Sequence, residues 1–504
     1  MLQMTGQKTT IPAPIGGWNA RDAVDLMAPT DAIRLDNMFP GDTQITVRKG
    51  YTSHATGLGN NIETLLSYDG GGTKKMFGIA GTSIFEVTSS GAVGAAKVTG
   101  LSGAQWGGTM MATSGGPYLW IWDETGTDAP YHLTGSTWAQ PTLTGITDTD
   151  VIGGMVHKRR IFVLLKDSLT MGYLAVNSIA GAVTSYDLSS LFQYGGTLVA
   201  CGTWSRDGGS GADDLAVFIT SNGEVAVYSG TDPDAASTWS LVGVFKIGNP
   251  VGKRCVMKVG ADLVILTDAG VVPLSQVLQS GESAPTSSVT DKISGAFRTA
   301  AANYGTTFGW DMILYPKGKY ALVNVPQETG VFHQYVVNLT TGAWCRFKNQ
   351  NGYSWVVHNK ELYFGTNGTV WKADNGDSDN GSDIDCYGKT SFNYYGSPGV
   401  NKQFTMMRPV VGSSGSVALS IGFDVDFKDG VTTYTAASVA SAGSTWDEAT
   451  WDSAEWDAPS STIQEWRSIE GIGMNAAFRL KFSTGLSAVS WHATDVIWIP
   501  ALGI

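Results

Sequence analysis

From about residue 60 the chain alternates short apolar runs with Gly-containing turns, and the runs come in pairs. "KKMFGIAGTSIFEV" (74–87), "RRIFVLLKDSLTMGYLA" (159–175) and "DLAVFITSNGEVAVY" (214–228) are three such units. "DLVILTDAGVVPL" (262–274), "KYALVNVPQETGVFHQYVVNL" (319–339) and "ELYFGTNGTVWKA" (361–373) continue the series. Each reads as a β-hairpin, and dipeptides such as Asn222-Gly223 and Asn367-Gly368 supply the turn chemistry. A slower echo overlies this one. A Ser-Thr-Trp or Gly-Ala-Trp tripeptide ends at Trp138, Trp239 and Trp344, which lie 101 and 105 residues apart. Half that interval, about fifty residues, is the length of a propeller blade. The stretch 59–385 therefore predicts an all-β propeller of six or seven blades, with a pair of irregular β-sandwiches as the alternative.

The pattern changes at both ends. Residues 1–58 form an N-terminal arm or platform segment, with Pro12, Pro14, Gly16 and Gly17 in an extended lead-in and one short strand in "TQITVRKGY". A polar tract, "DNGDSDNGSDID" (374–385), marks the other boundary and reads as a solvated linker. Beyond it, "SVALSIGFDVDF", "AAFRLKFSTG" and "VIWIPALGI" predict a C-terminal β-sandwich or platform domain over 386–504. One short helical insertion is expected. "TDKISGAFRTAAANY" (290–304) aligns Ile293, Ala296, Phe297, Ala300, Ala301 and Tyr304 on one stripe, with Thr290 as candidate N-cap, packed outside the propeller.

One stretch fits neither period. "TWDEATWDSAEWDAP" (445–459) repeats Trp-Asp at Trp446-Asp447, Trp451-Asp452 and Trp456-Asp457, five residues apart. On a helix that spacing turns successive rings about 140° apart, and on a strand it sends them to opposite faces. Asp-nucleated turns remain, so the stretch reads as a looped ribbon whose rings dock on a neighbouring surface. Packing within its own C-terminal domain is the alternative. Arg21, Asp22, Arg34 and Asp36 in the arm form a second candidate interface. They are expected to be ordered by contact with other parts of an assembly, or else to pack on the C-terminal domain.

Composition narrows the classes. At 504 residues the chain suits two or three domains. Only 15% of residues are charged, against about a quarter in typical domains, while Gly reaches 64 and Trp 17. Strands and turns with neutral polar faces follow, as suits a protein covered by other subunits. The formal charge of −12 argues against gripping DNA, whose phosphates select basic surfaces; an acidic wall that lets duplex slide past is one reading of it and ordinary acidic solubility the other. Cys201, Cys255, Cys345 and Cys386 form no CxxC pair, and no apolar leader or membrane-length run occurs, so folding in a cytoplasm is expected. No HExxH, GxSxG, Walker loop or GxGxxG is present. "SRDGGSGADD" (205–214) begins like a sialidase Asp-box at Ser205, Asp207 and Gly209, then departs from it. The tract 374–385 has no EF-hand register. No catalytic, cofactor or metal residues are expected.

Four stretches, in order, resemble one protein family. They are "GGWNARDAVDLMAPTDAIRLDNMFPGDTQITVRKGYTSHATGL" (16–58), "DKISGAFRTAAANYGTTFGWDMILYPKGKYALVNVP" (291–326), "HQYVVNLTTGAWCRF" (333–347) and "ELYFGTNGTVWKADNG" (361–376). The family is the tail nozzle proteins of short-tailed bacteriophages, also described as tail tubular B-like or packaged-DNA-stabilisation proteins. The resemblance implies a hexameric ring below the portal and its adaptor (the head–tail connector), in the tail of a virion assembled in the host cytoplasm. It implies contacts to tail fibres or tailspikes, transient passage of duplex DNA, and a platform shared by the two chain ends. A carbohydrate- or receptor-binding tail protein with a propeller fold is the competing reading, and a propeller glycosidase a third.

Overall fold

The computed structural model describes residues 6–205, 214–280, 288–415, 417–428, 433–435, 461–463, 465–485 and 488–501. Seven sheets stand around one axis. Blade one takes the second half of the long strand Tyr51–Asp69, then Lys74–Ala80, Ser83–Glu86 and Val98–Thr99. Blades two, three and four are four-stranded meanders over 106–139, 151–187 and 198–246. Blade five has three strands over 256–273 and is followed by the helix Leu274–Ser280. Blade six spans 311–347, and blade seven spans 354–373. The innermost strands touch in turn, and Ser354–His358 of blade seven returns to Tyr51–Asp69. The ring closes there. Residues 51–61 of that strand pair with Asn367–Ala373 to complete blade seven, so one strand serves the last blade and then the first. It crosses the boundary at 58/59 on which the sequence divides arm from propeller.

The Trp echo has a simple origin. Trp138, Trp239 and Trp344 all lie on the outermost strand of a blade, in blades two, four and six. The gaps from blade seven through blade four each bury their own apolar layer, whereas blades four to seven share one continuous core with the platform. Leu66, Phe77, Trp106 and Leu119 fill the gap between blades one and two, and Phe162, Tyr173, Phe218 and Trp239 that between three and four. Asn222-Gly223 turns as expected, with Gly223 at φ 73° and its N–H donating to Thr220 O.

The two chain ends build a second body together. One sheet contains Gln7–Pro12, Met38–Pro40 and Ile45–Val47 from the arm, beside Lys402–Ser413, Arg467–Gly473 and Val489–Pro500. The facing sheet contains Asp31–Asp36, Ile384–Thr390, Ser420–Val425 and Ala476–Thr484. Phe478 against Trp491 (5.4 Å) and Phe404 against Phe423 (4.9 Å) pack between the sheets, making a sandwich. The second sheet does not stop at the platform. Asp31–Asp36 also pairs with Trp344–Phe347, the outer strand of blade six, so platform and propeller share a ten-stranded sheet.

Two local expectations are corrected. The helix Ser294–Tyr304 begins after a 3₁₀ turn, and Thr290 does not cap it; the Thr290 hydroxyl accepts from Val271 N instead. Its stripe, with Phe297 fully buried against Trp310 (5.9 Å), lies on blade six, and a Cβ at Gly295 would strike the Ala20 carbonyl of the arm. The helix is thus sandwiched between blade and arm. The tract 374–385 is not a solvated linker either, because Asp379 is buried in an ion pair.

Candidate functional site

The arm is stitched to the propeller by carboxylates that each hold more than one donor. Asp36, at the end of Asp31–Asp36, is buried and accepts from Arg346 Nε (2.8 Å) and from Arg34 Nε (2.7 Å). The Arg34 guanidinium lies 4.3 Å from the Tyr387 ring centre, and that of Arg346 lies 5.4 Å from Trp18. Flat cations over ring faces gain from the ring quadrupole while keeping their N–H groups for the carboxylate. Asp31, at the other end of the strand, takes Lys292 Nζ at 2.6 Å and Asn19 Nδ2 at 2.8 Å. Lys292 belongs to the turn before the helix, so this contact ties arm to helix.

Arg48 makes the most completely buried junction. Its Nη1 and Nη2 donate to Asp379 Oδ1 and Oδ2 at 2.8 and 2.6 Å, a bidentate pair. The remaining N–H groups reach Asn37 Oδ1, Lys49 O and Lys348 O. Asn37, with φ 56°, also receives Lys348 N on the same oxygen. Arm, blade six and the tract after blade seven are therefore joined at one guanidinium.

Of the residues singled out from sequence, Arg34 and Asp36 are bonded to each other, as are Arg21 and Asp22. The two pairs are not joined to one another by any contact among them. Arg21 also pairs with Asp291, and Asp22 accepts from Asn19 Nδ2. The Arg21 and Asn19 hydrogen bonds hold the Asp22 carboxyl down to about 2. Arg34 and Asp36 are thus engaged within their own chain. Arg21 keeps nearly half its side chain exposed. Trp446, Asp447, Trp451, Asp452, Trp456 and Asp457 lie outside the described residues. Sequence reasoning missed Arg48, Arg346, Lys292 and Asp379; the one available signal was basic residues placed inside apolar strand patterns.

A cleft of about 400 Å³ opens beside the junction, between platform and blades six and seven. Phe39, Tyr320 and Phe347 form its aromatic wall, with centroids 6.0 to 6.4 Å apart. Lys49, Gln350 and Asp374 line the polar side, and burial raises the Asp374 carboxyl. Among the described residues no group of three or more His, Cys, Asp or Glu is placed to hold a metal ion. Two Ser–His contacts, Ser67 Oγ to His358 Nδ1 (2.9 Å) and Ser490 Oγ to His492 Nε2 (3.0 Å), occur with no carboxylate among the described residues bonded to the imidazole.

Solved structures similar to this chain are propellers and designed proteins. The β-propeller domain of Cps50 (Swd1) from Myceliophteria thermophila is 13% identical, with a TM-score of 0.37, covering 65% of this chain and 98% of its own. YCF48 bound to D1 peptide is 11% identical, with a TM-score of 0.34, over 66% and 95% of the two chains. The computationally designed Ika8 protein is 10% identical, with a TM-score of 0.36, over 64% and 99%. No family model and no curated protein matches the chain.

Proposed function

We propose that the protein is a structural subunit of a short-tailed phage virion, forming a tail nozzle ring below the portal–adaptor complex through which DNA is retained and released. One observation supports this above the rest. The four stretches that carry the family resemblance are scattered over 16–376, yet they meet in one body. Residues 16–58 contact 291–326 through Asp31 and Lys292, 333–347 through Asp36 and Arg346, and the end of blade seven through the pairing of 51–56 with 369–373. A shared sequence signature that folds into one junction is what a common assembly element requires. The lack of a nucleophile–base–acid arrangement among the described residues is compatible with a structural role. Its partners are further copies of the chain, the adaptor, fibres or tailspikes, and duplex DNA in transit.

The test is the mass of the purified protein, alone and mixed with the adaptor of the same virion, with electron microscopy of the product. A closed ring, expected to contain six copies, supports the reading. A monomer at every concentration, with and without adaptor, sinks it. The aromatic-walled cleft favours the second reading, a carbohydrate- or receptor-binding tail protein, because rings beside amide and carboxylate groups suit sugars. Glycan-array binding abolished by Phe39→Ala, without ring formation, would select that reading.

A further inference from the structure

The propeller axis holds a second cavity, of about 270 Å³, walled by inner strands and independent of the platform junction. Three tryptophans, Trp106, Trp122 and Trp355, form part of its wall. Two cations face it, and both are already matched. Arg254 donates from Nε to Glu124 Oε1 at 3.0 Å, from Nη1 to Glu63 O at 2.9 Å, and from Nη2 to Thr64 Oγ1 at 2.9 Å and Trp106 O at 3.2 Å. Lys253 Nζ donates to Glu124 O. The same three residues also line a neighbouring pocket of about 160 Å³, so they partition the axis.

Asp311 is the group left over. It is nine-tenths buried, it lines the cavity, and one of its oxygens accepts the Met312 N–H at 2.8 Å. Its other oxygen meets no donor among the described residues and is open to the cavity, so the cavity's occupant must supply its donor. A buried carboxylate without a full set of donors is costly unless something supplies them. The missing partner must carry an N–H or O–H; positive charge suits it beside the carboxylate, and an apolar part suits it beside the indoles that line the wall. A volume of this size equals roughly nine waters, enough for a small organic molecule.

We propose that the axial cavity binds a small organic cation of the primary alkylammonium class, its N–H donating to the unpaired oxygen of Asp311 and its alkyl part lying against the tryptophan wall. This is independent of the nozzle reading. Burial pushes the Asp311 carboxyl up to about 7, with Arg254 opposing and Glu124 adding to the rise. Glu63, from the closing strand, is likewise raised by burial, and Lys253, from the loop before blade five, is lowered by it. Asp311 gains charge near neutral pH, so binding is expected to tighten as pH rises from 6 to 8.

Calorimetry of the full chain with propylammonium chloride, against sodium chloride at equal ionic strength, is the test. The expected result is saturable binding to one site, weakened at least tenfold in Asp311→Asn and weakened similarly for tetramethylammonium, which has no N–H. Val199→Phe, which adds bulk at an apolar lining position of the cavity, is expected to abolish binding, and circular dichroism checks that both variants fold. Heats equal to those of sodium chloride overturn the proposal and leave water as the occupant. Unchanged affinity in Asp311→Asn, or in Val199→Phe should the first variant not fold, overturns it as well.

Discussion

Arg48 and Asp379 are 331 positions apart, and each would be stranded without the other. Removing one member of a buried pair leaves an uncompensated charge, at a cost of about 3–5 kcal/mol. Arg48→Met and Asp379→Asn are each expected to destabilise the protein on that scale in urea denaturation. The double variant should cost clearly less than the sum of the two, because the orphaned charge is then gone; strict additivity would refute the pairing. His157 gives a second residue-scale expectation, this one set by pH. It is buried at the end of the inner strand of blade three, with Nε2 3.2 Å from Gly230 O. Burial lowers its pKa from 6.5 to about 4. Between these values the unfolded chain binds the extra proton and the folded chain does not. The contribution is therefore complete above pH 6.5 and is lost as pH falls towards 4. His157→Gln should flatten that acid limb by on the order of 3 kcal/mol, read from denaturation at pH 7 and pH 4.5. His333 is lowered to about 4 in the same way, so part of the slope will survive. An unaltered slope would show that His157 is not the buried neutral imidazole described here.

At the scale of elements, the strand Asp31–Asp36 decides how the arm behaves. It runs between Trp344–Phe347, parallel, and Ile384–Thr390, antiparallel, and is thus an interior strand of the ten-stranded sheet. Interior strands open only with large parts of the fold. Hydrogen exchange on the unassembled protein should show the interior amides of 31–36 protected as strongly as blade cores, and the exposed 21–26 turn exchanging faster. Fast exchange throughout 31–36 before assembly would reverse that view and restore an arm ordered by its partners. The same strand shows what the sequence could and could not disclose. Blade hairpins and the Trp echo were legible because turn, strand and ring recur locally at a fixed interval. The role of Asp36 was not, since its partner Arg346 is 310 positions away and nothing nearby encodes the pairing. Thr290 looked like a cap for a related reason. The local pattern was right, but Val271 from the preceding blade claims the hydroxyl. Lys253, Arg254 and Asp311 carried no motif at all; only closure of the ring brings them to one axis.

The whole molecule is held shut by one strand. Because Tyr51–Asp69 belongs to blades seven and one, the propeller cannot open without breaking pairs at both ends of that strand. Its neighbours in sequence enter the platform, so ring closure and platform assembly are parts of one event. On the nozzle role proposed above, a body this tied together would resist deformation as DNA passes, and the same proposal sets how its surface should meet DNA. The chain carries a net −12, and its described arginines are largely committed to carboxylates: Arg34, Arg48, Arg254, Arg346 and Arg408 all lie in ion pairs. Each phosphate contact by a cation adds affinity and a measurable salt dependence, with a slope of about −0.9 per phosphate for duplex. With these arginines committed and the net charge strongly negative, the assembled ring is expected not to retain duplex DNA at submicromolar concentration, even at low salt, and to show a slope near zero. The test is an electrophoretic shift at 20 to 200 mM salt, an arbitrary range of about one decade chosen so that such a slope is resolved. The Lys158-Arg159 hairpin tip of blade three, where both residues have positive φ, sets two basic residues side by side. Retention lost in the Lys158→Glu, Arg159→Glu double variant would locate adhesion at that tip and refute a non-adhesive ring. Retention that survives the double variant would refute it more broadly, and would require a basic lumen that this sequence does not supply.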